Sequence, residues 1–259
     1  MRGVIEGLHA AVSFFTWIPV PPVEVDEATP RRAILALPWV GLGVGAVAAV
    51  ASGLVLWAGA GALLAAVLGL AVLAGLTGAM HLDGVADTAD ALGSRTPPAE
   101  ALVIMRQSDI GPMGVAALVL VLLVDVAALA SPRLDAAGLV AALAVAPMVG
   151  RVAALLGTTR WFAPAHDGGF GALFARVTSP VAFGVTAAAV LGAAFCLGLL
   201  TGGVRGGVAL VVGSVVGWGI AAGWVRHLLR RLGGLTGDTF GSLIEITQAA
   251  LLIAVALAW

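Results

Sequence analysis

The sequence predicts an all-α, polytopic integral membrane protein of about seven transmembrane helices, with an interfacial helix at its N-terminus. Three observations carry that prediction. Hydrophobic residues make up 61% of the 259 positions and charged residues only 10%, at a mean hydropathy of +1.09; a soluble domain carries about 25% charged residues. Apolar runs of about 18 residues or more, long enough to cross a bilayer as a helix, recur along the chain. The arginines fall almost entirely on one side of the topology those runs imply.

Taken in order, residues 3–17 are moderately amphipathic and end at Trp17 and a proline-rich exit, the pattern of a helix lying in the membrane interface. Spans are expected at about 34–58, 61–80, 113–130, 137–157, 181–201, 206–226 and 243–259. The sixth is rich in glycine, which reads as a packing face that lets helices approach closely. The whole chain, 1–259, reads as one membrane domain. With seven spans, Arg2, Arg31, Arg32, Arg95, Arg106, Arg151, Arg160, Arg176, Arg226, Arg230 and Arg231 share one side, and Arg133 and Arg205 the other. Positive charge marks the cytoplasmic side, so the N-terminus is expected inside and the C-terminus outside. The N-terminal segment carries Glu6 and His9 and lacks a small-residue cleavage site, so it is expected to be retained rather than removed as a signal peptide. All 13 basic residues are arginine and the net charge is −1; no nucleic acid is expected as a partner. The single Cys196 leaves no disulfide framework and no cysteine metal site.

The unusual polar stretches, "HLDGVADTAD", "MRQSDIGPMG", "RWFAPAHDGGFG" and "GGLTGDTFGSLIE", all land on the predicted cytoplasmic side, whereas the external loops "SPRLD" and "TGGVRG" are short and plain. Decoration of one face suits an enzyme working from the cytoplasm. A transporter needs access from both sides.

The first stretch places Asp83, Asp87 and Asp90 within eight residues. At 3.6 residues per turn they fall at about 0°, 40° and −20° around a helix axis, so all three carboxylates share one face. Unpaired, they repel one another. A divalent cation resolves this, and Mg²⁺ takes oxygen ligands from one or two carboxylates plus substrate phosphates. The alternative is a solvated helix end whose acids meet nearby arginines. Gly84 beside Asp83 would allow a ligand to approach the backbone. Arg106, Arg151 and Arg160 are candidates to hold phosphate oxygens, or else topology markers. Asp238 and Glu245, seven residues apart, share a helix face if the helix starts that early. Gly237 and Gly241 beside them suggest a turn or close backbone approach, although Thr236–Gly237–Asp238 also reads as a simple N-cap. Glu245 lies inside a span, where an acid is functional by default. Asp125, also intramembrane, reads as a lone snorkelling or locally paired residue near the outer end. His81 is a metal ligand, a base or an interfacial residue; it lies on a different face from the aspartates. His9, His166 and His227 form no zinc spacing. The pattern points to a metal-dependent reaction on a phosphate or pyrophosphate at the cytoplasmic surface.

"GLTGAMHLDGVADTADALGSR" resembles the signature of the bacterial cobalamin synthase family, the adenosylcobinamide-GDP ribazoletransferases. "AAVSFFTWIPVP", "ALPWVGLGVGA", "IMRQSDIGPMGVAALVLVLL" and "GGLTGDTFGSLIEITQ" resemble its further segments in the same order. The resemblance implies a Mg²⁺-dependent enzyme of a late step in vitamin B12 synthesis, multi-pass in the bacterial inner membrane with its site on the cytoplasmic side. It would join adenosylcobinamide-GDP to α-ribazole or α-ribazole 5′-phosphate and release GMP, in contact with the lipid bilayer and alone, as a homo-oligomer or with other late cobalamin enzymes. Carried over by position, Asp83, Asp87 and Asp90 match the acidic, metal-binding motif, with His81 and Gly84 beside them. Arg106, Ser108 and Gly111 match the second motif, and Arg151 an arginine of the fourth span. Gly237, Asp238, Gly241 and Glu245 match the C-terminal motif. Asp109 stands where the family often has arginine, Gln107 where it has an acid, and Gln248 replaces a second C-terminal acid; the 163–171 loop lacks the family's arginine. A CDP-alcohol phosphatidyltransferase would instead need alanine at the position of Asp87, and a cation- or proton-coupled transporter would need polar residues continuing to the outer side.

Overall fold

A computed structural model describes residues 2–166 and 168–259. Asp167, in the polar stretch at 160–171, lies outside the described residues, as does Met1. The described chain is helical: α1 (Arg2–Phe15), α2 (Thr29–Trp57), α3 (Ala62–Thr77), α4 (Met80–Gly93), α5 (Pro98–Ile104), α6 (Pro112–Leu129), α7 (Ala136–Gly157), the single turn α8 (Phe170–Leu173), α9 (Pro180–Leu232) and α10 (Gly237–Ala258).

Three helices begin where the sequence provides a side-chain acceptor for their first N–H groups. Asp135 caps α7 by accepting from the N–H of Gly138 at 2.7 Å, Ser179 caps α9 ahead of Pro180, and Thr236 and Thr239 form a reciprocal capping box at the start of α10. Five helices, α2, α6, α7, α9 and α10, are individually long and apolar enough to cross a membrane. The sixth crossing is formed by α3, and α4 continues from it past a bend of 89°. The seventh is hidden inside α9, whose helical geometry breaks at Gly202 and at Gly203, where φ is +63°. A Cβ added to Gly198 would lie 2.5 Å from the carbonyl oxygen of Gly206, although residues eight apart in a straight helix are separated by about 12 Å. The chain therefore doubles back, and the two limbs of α9 correspond to the spans predicted at 181–201 and 206–226. Gly206, Gly213 and Gly217 face Gly198, Leu251 and Thr247 at close range, the packing role predicted for the glycine-rich run.

Helix α7 is the pillar of the bundle. Leu143, Met148, Val149, Val152 and Leu155 are each essentially inaccessible, because α2, α9 and α10 surround it. Helix α1 lies outside, against α2, with Ala10, Ala11 and Phe15 buried and Val4 and Ile5 exposed, as expected of an interfacial helix.

The predicted span 61–80 stops short. Gly78 and Ala79 both adopt left-handed backbone, at φ +60° and +56°, so α3 ends at Thr77 and the chain turns sharply into α4. Gly78 is suited to the left-handed conformation; Ala79 adopts it at a cost of about 1–2 kcal/mol. The indole of Trp17 packs against Gly78 so closely that no side chain fits, and Trp17 N–H donates to the carbonyl of Leu76 at 2.8 Å. The exit of α1 therefore braces the corner. As a result α4 runs across the bundle instead of along it, at the end opposite Trp259.

Candidate active site

Two glycines set the crossing of α4 and α10. A Cβ on Gly84 would lie 2.5 Å from the carbonyl oxygen of Asp238, and one on Gly241 would lie 3.1 Å from the backbone of His81. The close approach that these glycines permit is thus helix against helix, and it brings Asp238 beside the acidic face of α4. Helix α10 does start early enough for Asp238 and Glu245 to share a face.

The helical face predicted for Asp83, Asp87 and Asp90 is formed, since α4 covers all three. Asp83 is exposed, and Asp87 and Asp90 are half-buried. Asp90 is committed to backbone: its two oxygens accept from the N–H groups of Gly111 at 2.7 Å and Gly114 at 2.8 Å, tying the start of α6 to α4. The carboxyl of Asp87 is pushed up to about 7, first by partial burial and then by the like charges of Asp83, Asp238 and Asp90. Four carboxylates thus feel one another, and His166, in the loop before α8, is a basic group within electrostatic reach of Asp238. Among the described residues no three His, Cys, Asp or Glu side chains converge to cage a metal by themselves. The donors are all carboxylate oxygens, the hard ligands that Mg²⁺ takes one or two at a time alongside substrate phosphates.

Two cavities flank this face. One, of about 280 Å³, is lined by Phe14, Phe15, Phe170 and Phe174, with Asp83 and Asp238 at its edge and Gly237 and Gly241 alongside. The other, of about 250 Å³, lies between Asp87 and Asp90 and the loop carrying Gln107, Asp109 and Gly111. Asp109 therefore shares a cavity with the acidic motif. Arg106 and Ser108 are exposed on the same loop and line neither cavity. Arg160 is exposed as well.

Beneath the acidic face lies a second polar group, inside the bundle. Arg151 is 1% exposed and Asp125 2% exposed. With His81, Glu245 and Gln248 they line a pocket of about 20 Å³, room for about one water molecule. Nδ1 of His81 stands 3.8 Å from Oε1 of Glu245, and Nη1 of Arg151 donates to the carbonyl of Pro147 at 3.0 Å. Asp125 Oδ1, Arg151 Nε and Nη2, Gln248 Oε1 and His81 Nε2 have no hydrogen-bond partner. Asp125 is therefore neither alone nor snorkelling. The corner after α3 lets α4 close over the interior, so His81 descends from above to the level of Asp125. His81 lines both this pocket and the phenylalanine cavity.

The sequence reading did not anticipate the phenylalanines or His166 at the site. The "FF" pair of α1 and the "FGALF" turn are far apart in the chain, and nothing local announces that they meet.

The chain matches the family model described as cobalamin-5-phosphate synthase over residues 7–256. Proteins named adenosylcobinamide-GDP ribazoletransferase are similar to it almost end to end. That of Stutzerimonas stutzeri is 41% identical, over 96% of this chain and 97% of its own length. That of Klebsiella pneumoniae is 39% identical, over 97% and 99%. That of Frankia casuarinae is 38% identical, over 94% and 92%. No solved structure matches the chain. A bent α3–α4 pair that carries its acids into the first turn of α10, together with matches that run through all of these elements, establishes that the chain belongs to the cobalamin-5-phosphate synthase family.

Proposed function

We propose that this chain joins adenosylcobinamide-GDP to α-ribazole or its 5′-phosphate, releasing GMP, at the cytoplasmic face of a bacterial inner membrane. The observation that carries the reading is the near full-length similarity to proteins named for that reaction, supported by an acidic face between two ligand-sized cavities.

Asp83, Asp87 and Asp238 are the groups to hold Mg²⁺, with Asp90 adding charge while it anchors α6. Mg²⁺ bound there would neutralise the pyrophosphate and the charge that develops on it. The residues orient the rest. A ribose hydroxyl of the ribazole forms a new O–P bond at the cobinamide-side phosphorus, the bond to the GMP oxygen breaks, and the hydroxyl proton leaves. An acceptor that keeps a 5′-phosphate attacks through a ribose hydroxyl other than the 5′. We assign Arg106, on the exposed loop that also carries Gln107 and Asp109, to the departing nucleotide.

The sidedness rests on the arginines. Arg133 donates to the carbonyl of Leu257 at 3.3 Å and Arg205 to that of Ala258 at 3.1 Å, so the two predicted external arginines gather at the end of α10 opposite Asp238. The activity is tested by incubating purified protein with adenosylcobinamide-GDP, α-ribazole and Mg²⁺. GMP should appear in step with the cobalamin product, and a folded protein that releases none under these conditions would sink the proposal.

A further inference from the structure

The cavity beside Asp83 and Asp238 has a wall of an unusual kind for a site that handles a pyrophosphate. Phe14 and Phe15 come from α1, Phe170 from α8, and Phe174 directly follows α8. The four rings pack mostly edge to face, with centroids 4.9 Å apart for Phe170 and Phe174 and 5.5 Å for Phe15 and Phe170. Phe174 is 1% exposed and Phe170 44%, so the wall is rooted in the core and opens at one ring. Around it lie a fifth ring, Phe240, with Met80 and aliphatic side chains, and the polar lining is His81 with the carboxylates of Asp83 and Asp238. No arginine lines the cavity.

Each feature restricts the occupant. With no arginine in its wall, the cavity offers a phosphate only the Mg²⁺ proposed at Asp83 and Asp238, so a phosphate belongs at that end and not among the rings. At about 280 Å³ it does not admit a corrin ring with its side chains. Guanine carries donors and acceptors around its perimeter, and phenyl walls would leave them desolvated and unpaired. The remaining chemistry is a flat aromatic base with an apolar outline, attached to a sugar whose hydroxyls can donate to carboxylates. Aromatic rings favour such edge and face contacts, and a carboxylate accepts hydroxyl hydrogen bonds in their strong, charge-assisted form.

We infer that the cavity walled by Phe14, Phe15, Phe170 and Phe174 holds the benzimidazole of the ribazole, with its ribose directed to Asp83 and Asp238. This rests on the function proposed above and adds an address for one substrate. The base sits on the α1–α8 side of the acidic face, and the nucleotide being attacked lies toward Asp87. The phenylalanines then select the base by shape, and the interfacial helix α1 is part of the site.

The test uses the full-length protein in detergent, with GMP release as the measure of the parent activity. Phe170→Ala removes the most exposed ring, so the fold is retained. It should raise KM for α-ribazole about tenfold, the scale of a lost aromatic contact, and leave KM for adenosylcobinamide-GDP within twofold. Phe14→Trp narrows the cavity and should do the same, while Phe170→Leu should lose less than Phe170→Ala. Without metal or nucleotide, 5,6-dimethylbenzimidazole should bind the wild type, read by its own fluorescence, and bind Phe170→Ala more weakly. A rise in KM for adenosylcobinamide-GDP instead of α-ribazole would give the cavity to the nucleotide and overturn the inference. Unchanged constants in both Phe170→Ala and Phe14→Trp would also overturn it, with the parent reaction intact. Absence of GMP from the wild type is a separate result, and it strikes the proposed function.

Discussion

The acidic face of α4 and the polar group beneath it lie back to back across His81, yet their electrostatic plans are opposite. Above, Asp83, Asp87, Asp90 and Asp238 share one sign, and their charges raise one another's cost. Below, Arg151 lies within electrostatic reach of Glu245, and Asp125 completes a mixed set in a nearly sealed pocket. A like-charged cluster open to solvent is incomplete by design and asks for a ligand of opposite charge. A mixed cluster in the bundle interior sets both signs within reach of each other, even though Arg151 Nε and Nη2, Asp125 Oδ1 and Gln248 Oε1 have no hydrogen-bond partner. On the proposed function the first is where chemistry is supplied from outside, while the second joins α4, α6, α7 and α10 beneath it.

The strongest way to break this comparison is to unbalance the lower group. Arg151→Met keeps the length of the side chain and strands Glu245 and Asp125. Removing one partner of a buried charge pair costs about 3–5 kcal/mol, so the variant should melt far below wild type in detergent. Adding Glu245→Gln should recover part of the loss. A single variant as stable as wild type would mean that the interior charges do not support one another.

Removing a charge from the upper group should do the reverse. Asp87→Asn relieves crowding, so the metal-free protein should insert normally and melt no lower than wild type. GMP release at low Mg²⁺ should fall at least about a hundredfold, and higher Mg²⁺ should restore part of it if binding is what failed. Wild-type rates at limiting Mg²⁺ would return the acids to a charged helix end at a membrane surface.

The gentlest probe is pH. The carboxyl of Asp87 rises from 3.8 to about 7 on folding, so the native protein binds a proton that the unfolded chain releases. Its contribution to stability is complete below about pH 4 and is lost as pH rises through about 7. Metal-free protein should therefore melt higher at pH 5.5 than at pH 8, and Asp87→Asn should flatten that slope. An unchanged slope in the variant would show that Asp87 is not the group responsible.

The bundle was legible because a membrane leaves few options. Each apolar run had to be a helix, and the period of 3.6 residues placed three acids on one face. The corner at Gly78–Ala79 was not legible, because a single left-handed alanine has no compositional signature and is held there by Trp17, 61 or more positions earlier in the sequence. The hydrogen bonds of Asp90 escaped for a similar reason, since their partners lie 21 and 24 residues away. Asp125 joins a buried charged group instead of snorkelling because α4 folds over the interior and brings His81 to it, which no pattern local to α6 announces. The phenylalanine wall was invisible because its two sets of rings lie far apart in the chain, and only the docking of α8 against Thr236 and Gly237 brings them together.

The shortness of α3 has a consequence for the surrounding lipid. Its 16 residues rise about 24 Å, some 6 Å less than a typical hydrocarbon core. Helices α2 and α10, with 29 and 22 residues, are long enough to cross it fully. The protein therefore presents an uneven collar, and the bilayer must thin along the α3 side or the protein must tilt toward it, at a fraction of a kcal/mol per Å of mismatch. The thinned sector lies directly beneath α4. Acyl-chain length is thereby expected to set how deeply the acidic helix rides in the interface.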